Sequence, residues 1–98
     1  MNNTYILSKS NLKTKKYKIL TPDGHTIQFG AYGYEDYTIH KDDKRKERYI
    51  MRHQANEDWN TPNSAGFFAR WILWNKKSLS ASINDTEKRF NIKIKLLK

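Results

Sequence analysis

The chain has 98 residues, enough for one domain with one hydrophobic core, and its 19 Lys and Arg against 10 Asp and Glu leave a formal charge of +9. Cysteine is absent, which excludes a disulfide framework and a Cys-based zinc site, and no apolar run approaches the ~20 residues of a membrane span. Only 37% of residues are apolar, but 13% are Phe, Trp or Tyr, and aromatic side chains bury on the order of 150–250 Å² each, which is enough for a compact core.

Residues 1–15 are polar and Lys-rich, with only Tyr5, Ile6, Leu7 and Leu12 to bury. They read as a basic, partly flexible arm that adds at most a short edge strand, and they lack the apolar stretch of a secretory signal. Residues 16–98 read as a single α+β domain. It opens with a β-hairpin, residues 16–20 and 25–29 flanking Thr21-Pro22-Asp23-Gly24, where Pro presets φ and Gly supplies a positive φ. Tyr17 and Ile19 on the first strand, and Ile27 and Phe29 on the second, form its buried face.

Residues 30–37 combine Gly30 and Gly33 with Tyr32, Tyr34 and Tyr37 and predict a loop packed on the body. From 41 to 54 there is no Gly or Pro, and Asp42 and Asp43 suit a helix N-terminus. At ~100° per residue, Lys41, Arg45, Arg48 and Arg52 fall within about 60° of one another, with Ile39, Tyr49, Ile50 and His53 on the other side. Residues 64–75 are apolar nearly all round, with Phe67, Trp71 and Trp74 at helical spacing, and predict a central core helix. A third helix starts at Ser78 or Ser80 and stops at Asn91. The alternation Ile92-Lys93-Ile94-Lys95-Leu96 predicts a C-terminal strand that completes a small antiparallel sheet.

Several segments together carry a resemblance: the hairpin; Phe29-Gly30-Ala31-Tyr32-Gly33-Tyr34-Glu35-Asp36-Tyr37; Arg45-Lys46-Glu47-Arg48-Tyr49; Glu57-Asp58-Trp59; and Ala65-Gly66-Phe67-Phe68-Ala69-Arg70-Trp71-Ile72-Leu73-Trp74. Over roughly residues 16–96 the chain resembles a family of uncharacterised small basic proteins of nucleocytoplasmic large DNA viruses, the giant viruses. It departs from that pattern at Lys77, where proline is expected. The resemblance implies a viral setting, in the factories of the host cytoplasm and in the virion rather than in secretion, and supplies no catalytic residues.

Charge points to a polyanion as partner, DNA ahead of RNA. A solvated helix face also carries bases, but three of the four in the stripe are Arg, the better phosphate ligand. The expected function is binding of nucleic acid, double-stranded DNA first, without sequence preference, in viral genome compaction or packaging or as a virion-core component. The expected contacts are Lys41, Lys44, Arg45, Arg48 and Arg52, with Lys13, Lys15, Lys16, Lys93 and Lys95 as further candidates, although lysines on an edge strand also guard against aggregation. Tyr32, Tyr34 and Tyr37 are better stacking candidates than Phe67, Trp71 and Trp74, which belong to the core, but packing against the core is the first expectation for the three tyrosines too. His25, His40 and His53 show no metal-ligand spacing, so no cofactor, metal or enzymatic activity is expected. The rival readings are a structural or adaptor protein that docks a viral protein and, behind it, a small metal-dependent nuclease.

Overall fold

The alternation of apolar and polar residues along four short segments builds the sheet. The computed structural model describes residues 4–97. Its strands are β1 (Thr4–Lys9), β2 (Lys15–Leu20), β3 (Thr26–Ala31) and β4 (Lys93–Leu96), in the spatial order β3-β2-β1-β4. The register sets Leu7 opposite Ile19, Ile19 opposite Ile27, Tyr17 opposite Phe29 and Tyr5 opposite Ile94, so one face is apolar throughout. The reverse face carries Ile6, Lys18, Leu20, Gln28 and Lys95. The helices cover the apolar face, closing a core of Leu7, Ile19, Phe29, Phe67, Phe68, Ile72, Leu73, Ile83 and Ile94.

The helices are α1 (Tyr37–His40), α2 (Asp43–His53), α3 (Ala65–Phe68), which runs on into a π-helical turn (Ala69–Leu73), and α4 (Leu79–Phe90). Each start has a side-chain cap: Asp36, Asp42, Ser64 and Ser78 accept the first free N–H groups of α1, α2, α3 and α4. The widened turn ends with the Trp74 N–H on the Ala69 carbonyl at 3.1 Å. Within it, the Trp71 carbonyl accepts the Thr86 hydroxyl at 3.0 Å, which ties α4 to the core helix. Asn91 ends α4 in the left-handed conformation, φ 53°, and the Ile94 N–H then bonds the Glu87 carboxylate at 2.9 Å.

The α+β class and the hairpin agree with the sequence reading, and three of its details are corrected. Residues 1–15 were expected as a loose arm, of which 1–3 lie outside the described residues; residues 4–9 instead form an interior strand with Leu7 fully buried. Tyr5 and Leu7 already alternate toward one face, and two apolar anchors suffice once β2 and β4 flank them. The C-terminal strand does not complete an antiparallel sheet, because β4 runs parallel to β1 and the sheet is mixed. Alternation fixes the buried face of a strand but not its direction. Finally, the three expected helices become four, since the loop of residues 30–37 ends in the short α1.

Candidate functional site

Helix α2 begins at Asp43, two residues after Lys41, where the expected basic stripe opens. The Asp42 carboxylate accepts the N–H groups of Lys44 at 2.9 Å and Arg45 at 3.3 Å, which makes Asp42 the cap and Asp43 the first helical residue. These bonds also hold the Asp42 carboxyl below the usual range. Lys41 is therefore not part of the helical stripe. It stands between α1 and α2 in the left-handed conformation, φ 57°, with its ammonium on the Thr38 carbonyl at 2.8 Å.

The rest of the stripe is assembled. Tyr49 is the buried anchor of α2, its ring stacked 4.4 Å from Trp74 at an interplanar angle of 1°, and Trp59 stacks on it at 6.3 Å. Helical spacing puts Arg45, Arg52, Arg48 and Lys44 in succession along one side of Tyr49, over roughly 100° of arc. Basic and apolar stripes are thus adjacent rather than opposed. Arg45, Arg48 and Arg52 line a concavity of about 280 Å³ with Tyr34, Glu35 and Trp74. Arg45 meets Glu35 at 3.4 Å, both side chains largely exposed. Among the described residues Arg48 and Arg52 form no ion pair. Of the acids on α2, Asp43 accepts the Tyr37 hydroxyl at 2.5 Å and Glu47 lines a separate recess with Lys46, Ile50 and Met51, while the cap Asp42 feels the charge of Arg48.

The turn after β3 closes the site. The Tyr32 N–H bonds the Thr14 carbonyl at 3.0 Å, the Tyr34 N–H bonds the Ala31 carbonyl at 3.4 Å, and Gly33 has φ 91°. Tyr32 and Tyr34 stand 70% and 74% exposed, whereas Tyr37, named with them as a stacking candidate, is buried under the Lys46 ammonium. Trp71 and Trp74 are half-buried against the core, and Phe67 is fully buried within it.

The remaining candidates separate into three groups. Lys13 lies exposed in the β1–β2 turn and Lys15 pairs in register with Ala31, so both adjoin the tyrosine turn. Lys9, which the sequence reading did not single out, lines a concavity of about 460 Å³ with Tyr32 and Tyr34. Lys16 leaves the set: its side chain is 13% exposed and its ammonium lies 2.7 Å from the carboxylate of Asp36, whose side chain is 5% exposed. Lys93 and Lys95 are exposed on β4, at the opposite edge of the sheet from β3.

Lys46 and Arg70 are structural. The Lys46 ammonium donates to the Asn75 carbonyl at 2.7 Å, and burial, helped by the charges of Arg70 and Lys76, lowers its pKa. Arg70 lies over the rings of Trp71 and Trp59 at 4.3 and 5.3 Å, and Arg89 covers Trp71 at 4.4 Å. No helix among the described residues is long and apolar enough to cross a membrane. No group of three or more His, Asp or Glu among them could hold a metal ion. His40 is enclosed by Tyr37 and Trp74, and His53 meets Glu57 at 3.6 Å.

The profile of one protein family matches residues 5–53, from β1 to the end of α2, and that family is described only as one of unknown function, DUF5754. The tyrosine turn and the three arginines lie within the matched residues. No curated protein and no solved structure matches the chain.

Proposed function

The chain belongs to this family of unknown function, DUF5754, and for it we propose binding of nucleic acid without sequence preference, through the phosphate backbone. The observation that carries the proposal is the convergence of Arg45, Arg48 and Arg52 on one concavity, the last two in no ion pair among the described residues. Guanidinium forks match phosphate oxygens in geometry and in charge. Lys44 extends the band along α2, and Lys9, Lys13 and Lys15 extend the positive field across the neighbouring turn. The formal charge of +9 supplies long-range attraction by counterion release.

Duplex DNA is the substrate favoured by sequence, and genome compaction or packaging in a viral factory or virion core is the setting implied by the viral resemblance of residues 16–96. The test is equilibrium binding of a short fluorescent duplex and of a single strand of the same sequence at low salt. Arg48→Ala/Arg52→Ala is expected to weaken binding at least tenfold, and failure of the wild type to bind either probe would remove the proposal. The rival, docking of a viral protein, is favoured by Ile39, which stands 53% exposed near the two tyrosines. A partner retained after nuclease treatment would support it.

A further inference from the structure

The two exposed tyrosines suggest which nucleic acid the site takes, an inference that rests on the proposed backbone binding and refines its substrate. Every other Phe, Trp and Tyr among the described residues is buried or half-buried, whereas Tyr32 and Tyr34 stand 70% and 74% exposed. Leaving two aromatic rings in water forgoes the stabilisation that burying them would bring. Their turn is nonetheless fixed from both ends. Main-chain hydrogen bonds tie Tyr32 to Thr14 and Tyr34 to Ala31. Two residues on, Asp36 is held by the Lys16 ammonium at 2.7 Å and by the Thr38 N–H at 3.0 Å. The rings are therefore displayed on a rigid support.

Tyr34 borders three recesses, two of which match the halves of a nucleotide. On one side is the concavity of about 280 Å³ lined by Arg45, Arg48 and Arg52. On the other is the recess of about 460 Å³, which Tyr34 shares with Tyr32, Ile39 and Lys9. The first offers fixed positive charge, and the second offers the aromatic and aliphatic surface of Tyr17, Tyr32, Tyr34 and Ile39, with Lys9 and Glu35 and the paired Lys16 and Asp36 also in its lining. A nucleotide unit has the same two halves, a phosphate and a flat base. In a closed duplex the base faces are stacked inside and cannot reach a tyrosine, whereas a single strand presents them.

We propose that Tyr34 and Tyr32 form a stacking platform for unpaired bases, with the strand's phosphates on Arg45, Arg48 and Arg52, so that the preferred ligand is single-stranded nucleic acid or the unpaired end of a duplex. Stacking on a π-face is available to every base, so the platform adds affinity without sequence preference.

The experiment is competition binding of a fluorescent dT oligonucleotide and a duplex of equal charge to the full chain, comparing wild type, Tyr34→Ala, Tyr34→Phe and Arg48→Ala/Arg52→Ala. The expected result is preference for the single strand in wild type and a roughly tenfold fall in the single-strand to duplex affinity ratio for Tyr34→Ala, the size of one lost base stack. Tyr34→Phe keeps the ratio, and quenching of tyrosine fluorescence by the single strand disappears in a Tyr32→Phe/Tyr34→Phe variant. The arginine pair variant weakens both ligands and leaves the ratio unchanged. Equal binding of duplex and single strand, or an unchanged ratio in Tyr34→Ala, overturns the platform while leaving backbone binding intact. An arginine variant that binds both ligands as wild type does would overturn the backbone reading and the platform with it.

Discussion

The Lys16 ammonium lies 2.7 Å from the Asp36 carboxylate beneath the tyrosine turn, with 13% and 5% of the two side chains exposed. Asp36 also accepts the Thr38 N–H at 3.0 Å and the Thr38 hydroxyl at 2.5 Å, so one carboxylate pairs a buried cation and caps α1. Removing one partner of a buried pair leaves the other charge without compensation and typically costs about 3–5 kcal/mol. Asp36→Ala is therefore expected to lower the melting temperature by well over ~10 °C, at about 4–8 °C per kcal/mol for a domain of this size. Lys16→Met/Asp36→Leu should recover much of the loss. A melting temperature within 2 °C of wild type in Asp36→Ala, on the order of experimental error, would show that the pair is not what holds the turn.

The His40 ring sets a second dependence, on pH. Its Nδ1 accepts the Asp42 N–H at 2.9 Å, and its Nε2 is buried without a partner. Burial first, and then the charge of Arg45, hold its pKa below the ordinary 6.5, against the opposite pull of Asp42, Glu35 and Asp36. The unfolded chain thus takes up a proton at His40 more readily than the folded protein does. The stability that follows is complete above about 6.5 and is lost as pH falls toward the folded value. Urea midpoints of wild type and His40→Gln, measured from pH 7.5 to 5, should converge as the pH falls. Because carboxylates elsewhere titrate in both proteins, the quantity to follow is the difference between the two midpoints, and a constant difference would exclude His40 as the cause.

How much could be read beforehand depends on the range of the forces involved. Local chemistry was legible: the Pro22-Asp23-Gly24 turn, a serine opening α4 (Ser78 of the two expected, Ser78 and Ser80), Asn91 closing it, and Phe67 in the core all follow from near-neighbour rules. The arginine band was legible for the same reason, since helical spacing alone aligns Arg45, Arg48 and Arg52. Lys41 was misplaced because Asp42 and Asp43 are both good first-turn acids, and only the hydrogen bonds of Asp42 show which one is the cap. Long-range pairing was not legible. Nothing near Lys16 in the chain announces Asp36, twenty residues on, and nothing in β4 says that it will lie parallel to β1. The adjacency of Tyr34 and Trp74 to the arginines depends on the same tertiary packing.

The lysines of β4 provide a contrast with those arginines. Lys93 and Lys95 are exposed at the far edge of the sheet, three strands from β3, and strands lie about 4.8 Å apart. A ligand seated on α2 and the tyrosine turn does not reach them, and their place on an edge strand suits protection against strand addition. Lys93→Gln/Lys95→Gln is expected to leave the salt dependence of binding nearly unchanged while promoting self-association, read by light scattering. Arg48→Ala/Arg52→Ala, by comparison, should reduce the slope of log K against log salt by about 0.9 for each lost duplex phosphate contact, or about 0.7 on a single strand. A drop of that size for the lysine pair would extend the interface around the sheet edge.

Glu35 is the one acid in the arginine concavity, and its effect on binding has a definite sign. Its carboxylate meets Arg45 at 3.4 Å, both side chains being substantially exposed, so the pair contributes little to stability. A phosphate arriving at Arg45 must displace or approach this carboxylate, and the like charges repel across the recess. Glu35→Gln keeps the size of the side chain and removes the charge, so it is expected to tighten nucleic-acid binding several-fold at low salt, by an amount that shrinks as salt screens the repulsion. The melting temperature should change by no more than about 4–8 °C, since an exposed pair is worth roughly 0.2–1 kcal/mol. The same substitution in an Arg45→Ala background should have a smaller effect, because the guanidinium for which the carboxylate and the phosphate compete is gone. Weaker binding by Glu35→Gln would mean that the carboxylate orients Arg45 toward the ligand rather than competing with it.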